Sequence, residues 1–128
     1  MDVVSDNGKY SYGNIMRTLA EARMKITAPE RWTRGEYARD GDGNPCAPND
    51  INACCWCSMG AIEAVADNPD DGHMAMEFLG FASTYLFLHQ WNDDPETSHS
   101  DVLAAYDKAF WDAKDEAKRN GWKLGWKV

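Results

Sequence analysis

Three of the four cysteines stand in one run, Cys54-Cys55-Trp56-Cys57. Asp50 is a good N-cap, so the spacing predicts a helix over 51–66 with these thiols in its first turns. Unsatisfied N–H groups and the helix dipole would lower a thiol pKa there and make a nucleophile. Cys54-x-x-Cys57 also has the spacing of a redox dithiol, but that motif belongs after a strand in a βαβ setting, and none is visible. A zinc site would need Cys46 and one of His73, His89 or His99 as further ligands, and no spacing favours that set. No metal or cofactor is expected.

A Cys-His-Asn set can be written with Cys57 or Cys55 as nucleophile, His99 or His73 as base and Asn92 as the orienting amide. Cys55-Trp56 at a helix start resembles the nucleophile dipeptide of papain-like proteases. The glutamine that would complete an oxyanion hole is missing from its place. Asp40-x-Asp42-x-Asn44 opens like a calcium loop, but Pro45 and Ile51 occupy the positions that require Gly and a bidentate Glu. A hairpin tip explains it better.

Packing is the competing account of the thiols. Cys57, Gly60, Ala61 and Ala64 fall at i, i+3, i+4 and i+7, a stripe of small side chains that would let another helix approach closely. Trp91-Asn92-Asp93-Asp94 reads as a helix end, with Asn at home in the closing position. Its functional alternative is a polar cleft where Asn92 and Asp93 face Arg31.

These residues need elements to position them. Ile15, Leu19, Ala22 and Ile26 recur at helical spacing over 14–26. Residues 28–50 are punctuated by Pro and Gly and read as a long loop with a small β-hairpin. The helix over 51–66 is apolar nearly all round and therefore central. Residues 68–72 read as a turn, 73–91 as an apolar, aromatic helix loosened near Gly80. The last helix starts near Ser100 behind a Ser98/Asp101 capping box, with Val102, Tyr106, Ala109, Ala113 and Ala117 as its stripe and Gly121 beyond its end. Trp122, Leu124, Trp126 and Val128 alternate with Lys123, Gly125 and Lys127, as a short C-terminal strand would. The expected fold is mainly α, about four helices around the central one, in a single domain over 1–128.

A chain of 128 residues with 44% hydrophobic residues can bury one core. Its net charge of −8 argues against nucleic-acid backbone binding, which needs clustered cations. Residues 74–91 carry Glu77, His89 and Gln90 and are barely long enough to span a bilayer, so no membrane span is expected. The first residues have neither a basic nor an apolar region of the signal-peptide kind, and a cytoplasmic protein with free thiols is expected.

Read in order, Arg31-Trp32-x-x-Gly35, then Trp56-Cys57-x-x-Gly60-Ala61, then Trp91-Asn92-Asp93, the chain resembles a domain-of-unknown-function family of small bacterial and phage proteins. The resemblance runs over about residues 15–118. It implies a cytoplasmic protein of bacterial or phage origin and carries over no activity. Two functions are then expected. The first is an acidic, non-catalytic protein that binds a protein partner. Trp111 would be its anchor on an acidic helix face with Asp107, Asp112, Asp115 and Glu116, and Arg31, Trp32, Asn92 and Asp93 would be further contacts. The alternative is a small thiol enzyme centred on Cys57 or Cys55.

Overall fold

A computed structural model describes residues 11–85 and 87–120. Helix α1 (Tyr12–Lys25) is capped by Ser11, whose hydroxyl accepts the Asn14 N–H at 3.3 Å. It buries Tyr12, Ile15, Met16, Leu19 and Ala22, the stripe that the spacing predicts. A 3-10 turn over Pro29–Arg31 leads into the loop, where strand β1 (Ala38–Asp40) pairs antiparallel with β2 (Ala53–Trp56). The register sets Ala38 opposite Trp56, Arg39 opposite Cys55 and Asp40 opposite Ala53, with an irregularity between Arg39 and Asp40. At the tip the Asp40 carboxylate accepts the N–H groups of Asp42 and Asn44, both at 2.9 Å. Its acceptor capacity serves its own turn, as in an Asx turn.

The fold is mainly α with a two-stranded hairpin, but the hairpin takes its second strand from residues expected to be helical. Helix α2 (Ser58–Val65) starts seven residues later than the spacing predicts, and Cys54 and Cys55 lie in β2. The cause is pairing from both sides. Tyr37 O accepts the Cys57 N–H at 3.1 Å, and Trp56 O accepts the Thr33 N–H at 3.0 Å. Asp50 caps no helix, because its carboxylate accepts the Asn52 N–H at 2.8 Å within a turn. Short as it is, α2 packs against α1, α3 and α4 and buries Ser58, Gly60, Ala61 and Ile62.

The apolar stretch expected as one helix is two. Helix α3 (Pro69–Ser83) begins earlier than expected, because Asn68 caps it through the Asp71 N–H at 2.9 Å and Pro69 occupies the first turn. It ends at Thr84, a non-glycine residue at φ 62°. Ser83 Oγ donates to Gly80 O at 3.0 Å and accepts the Tyr85 N–H at 3.3 Å, the competition with the main chain by which Ser and Thr interrupt helices. Helix α4 (Leu88–Asp93) follows. Helix α5 (His99–Arg119) has the expected Ser98/Asp101 capping box and buries the expected stripe.

Helices α1 and α5 run antiparallel, joined by Arg23–Asp107 at 2.7 Å near one end and Tyr12 Oη to Glu116 at 3.2 Å near the other. The buried Asp71 carboxylate ties α3 to the start of α1. It accepts the Ser11 N–H at 3.1 Å and the Asn14 and Asn68 side-chain amides at 3.2 and 2.8 Å. Among the described residues no helix is long and apolar enough to cross a membrane. The expected C-terminal strand lies outside the described residues.

Candidate functional site

The three motifs of the sequence meet at Asn92, which is fully buried near the end of α4. Its Oδ1 accepts the Trp32 indole N–H at 2.7 Å, the Ser58 N–H at 2.9 Å and the Ser58 hydroxyl at 2.5 Å. Its Nδ2 donates to Thr33 O at 3.0 Å and to Asp93 Oδ1 at 3.1 Å. Asp93 in turn accepts the Gly35 N–H at 2.8 Å. A primary amide has two donors and about two acceptor sites, so Asn92 is fully engaged. Below it, Tyr106 of α5 donates its hydroxyl to Ser58 O, and burial holds its phenol well above the usual range. This cluster pins the loop, the N-terminus of α2 and α4 to one another.

Cys57 is the N-cap of α2, and its sulfur accepts the Gly60 N–H at 3.2 Å. That bond favours a thiolate, but burial opposes it more strongly and pushes the thiol up to about 11. At Gly60 the small stripe beside it receives main chain from the loop. A Cβ on Gly60 would lie 1.9 Å from Tyr37 O, whose carbonyl also holds the Cys57 N–H. The other thiols stand apart: Cys54 is exposed, and Cys46 and Cys55 are half-buried. Among the described residues no group of three or more His, Cys, Asp or Glu is placed to hold a metal ion.

The histidines are not where a Cys-His-Asn set needs them. His99 Nε2 lies 2.6 Å from Ile26 O, with its ring 5.7 Å from that of Trp32. His73 faces Glu77 at 2.9 Å. His89, not singled out as a base by the sequence, shares a cavity of about 220 Å³ with Cys57, Asp93 and Tyr37. Arg31 is exposed at the end of the 3-10 turn and makes no side-chain bond within the Asn92 cluster. Arg34 rather than Arg31 is the arginine beside Trp32, stacking on its ring at 4.5 Å and donating to Thr97 O at 2.6 Å.

On α5, Trp111 is 53% exposed, with Lys114 Nζ 4.1 Å above its ring. The acidic face around it is partly neutralised: Asp112 pairs with Lys108 at 2.8 Å and Asp107 with Arg23. Asp115 is exposed.

A cavity of about 730 Å³ opens where α3 turns into α4, lined by Met59, Met76, Phe81, Tyr85, Phe87 and Leu88 among others. Phe81 is 74% and Phe87 52% exposed. Sequence reasoning missed this site because it placed these aromatics in one continuous core helix. The signal available was the Ser83-Thr84 pair beside Gly80.

Nothing among curated proteins or solved structures matches the chain. One family model, described as a family of unknown function (DUF6197), matches residues 13–110, a span that holds the whole Asn92 cluster from Trp32 to Tyr106. The chain therefore belongs to the DUF6197 family of proteins of unknown function.

Proposed function

We propose that the protein is a non-catalytic binding protein whose partner is another protein, docked where α3 turns into α4. One observation carries this reading: Phe81, Tyr85 and Phe87 stand exposed around a single apolar cavity. Exposed apolar side chains gathered in one place, rather than scattered, mark interaction surfaces. Trp111 with Asp112 and Asp115 is a second contact surface in this reading, where a Trp anchor would slow dissociation and the charges would speed encounter. The four unpaired cysteines suit the cytoplasm, and the bacterial or phage origin that the motifs imply makes a host protein a fitting partner.

The thiol-enzyme alternative has one observation in its favour, the cavity that Cys57 shares with His89 and Asp93. Against it stand a thiol that is protonated at neutral pH and an Asn92 with no free capacity.

The test is photo-crosslinking in lysate of the source cells. A benzophenone side chain at position 81 should give one recurrent, identifiable protein adduct. The same group at position 51, where Ile51 is 96% exposed but outside the cavity, should not. Equal, scattered products from both positions would overturn the reading.

A further inference from the structure

Taken together with two cavities that share its lining residues, the cavity at the α3–α4 turn makes a longer trough. It adjoins a second cavity of about 460 Å³ at the start of α3 through His73 and Met76, and the Cys57 cavity through His89. Along α3 the trough follows His73, Met76, Glu77, Gly80, Phe81 and Thr84, the i, i+3, i+4 stripe of one helix face. Eleven residues of helix at 1.5 Å each make it about 17 Å long, or three helical turns.

Its charge is one-sided. Glu63 and Asp67 stand at the α2 end, Glu77 in the middle and Asp93 with Glu36 at the far end, while no Lys or Arg lines any of the three cavities. Asp67 is paired with Arg17 from outside the trough, and Glu77 faces His73. The Glu63 side chain has no ion pair or hydrogen bond to another described residue, and partial burial holds its carboxyl above the usual range. The floor is supplied by Met59 and Met76, whose unbranched thioethers repack around differing side chains.

We infer that this trough accepts an amphipathic helix of about three turns from a partner protein. The helix would lay apolar side chains on the Met59–Met76–Phe81 floor and set Lys or Arg against Glu63, Glu77 and Asp93. The inference rests on the binding reading above and adds the partner's chemistry to it. A helix with apolar anchors at i, i+3, i+4 and i+7 fits a groove of this length. A rim that carries carboxylates and no Lys or Arg of its own selects the helix's charge, since acidic helices meet repulsion there.

The test titrates full-length protein with three fluorescein-labelled, 14-residue amphipathic peptides that share one leucine face, with Lys, Gln or Glu as the polar residue. Anisotropy is read at 0.1 M salt. The Lys peptide should bind about tenfold or more tighter than the other two. Glu63→Lys with Glu77→Lys should remove that preference, and Phe81→Asp should weaken binding itself. Glu30→Lys with Asp42→Lys, the same charge change at two exposed residues outside the trough and away from α5, should alter it less than about threefold.

Equal loss from the two pairs of reversals would mean generic attraction to an acidic protein and would overturn the inference. Equal binding of the Lys and Gln peptides, abolished by Phe81→Asp, would overturn the cationic partner while leaving the binding reading standing. No binding of any peptide would also overturn it. A dimer in sedimentation that Phe81→Asp dissociates would assign the trough to a second copy instead. Tighter peptide binding by Trp122→Ser with Trp126→Ser would assign it to the chain's own end.

Discussion

The indole N–H of Trp32 donates to the side-chain oxygen of Asn92 at 2.7 Å, across sixty residues of sequence. That bond, with the two from Ser58 to the same oxygen, joins the Arg-Trp, Trp-Cys and Trp-Asn-Asp motifs through one buried amide. The motifs are thus spaced along the chain by a structural requirement, the satisfaction of buried polar groups where three segments meet.

Asn92→Ala should therefore destabilise the protein by about 2–4 kcal/mol, because the Ser58 N–H and hydroxyl are left buried without an acceptor. Asp93→Ala, at an exposed residue, should cost about 1 kcal/mol or less. Urea denaturation measures both, and equal effects would show that the amide is not the hub.

Gly60→Ala should cost about 2 kcal/mol or more, since its Cβ would overlap Tyr37 O and the β1 approach would have to shift. Gly43→Ala meets nothing within 4 Å and strains only its own backbone at φ +86°. It should cost about 1 kcal/mol. Thermal melts of the two variants separate overlap from backbone strain.

Cys57 should resist iodoacetamide in the native protein at pH 7–8, while the exposed Cys54 reacts. Folding raises the Cys57 pKa from 9.0 to about 11, so the folded form holds its proton where the unfolded form releases it. This stabilisation is complete below pH 9 and fades as pH rises towards 11, by about 2–3 kcal/mol in all. Melting temperatures of the native chain should fall over that window, and the fall should be shallower in Cys57→Ala. Rapid labelling of Cys57 at pH 7 would instead favour the thiol enzyme.

Asp71→Ala should loosen the start of α1, since one carboxylate holds Ser11, Asn14 and Asn68. A loss of about 3 kcal/mol is expected, as for a broken buried charged network. Hydrogen exchange should speed up most in the first turns of α1 and α3, and uniform acceleration across α5 alone would contradict the assignment.

Helices α1 and α5 were legible from the sequence because their signals are local. An apolar residue every three or four positions needs only one dry face, and the Ser98/Asp101 box closes within four residues. The hairpin tip at 40–44 was legible for the same reason, with Asp40 bonding its own neighbours. The motif residues, too, announced themselves by type and order.

Tertiary contacts decided the rest. Residues 53–56 satisfy helical periodicity as well as strand pairing, and the partners that chose the strand are Thr33 and Ala38, far off in the chain. Composition could mark Asn92 as a helix end, but only the meeting of Trp32, Thr33 and Ser58 made it a buried hub. The break at Thr84 turned expected core aromatics into the walls of a trough. Hydrophobic pattern says which residues avoid water on average. Which of them a given fold leaves uncovered depends on chain paths that no single segment encodes.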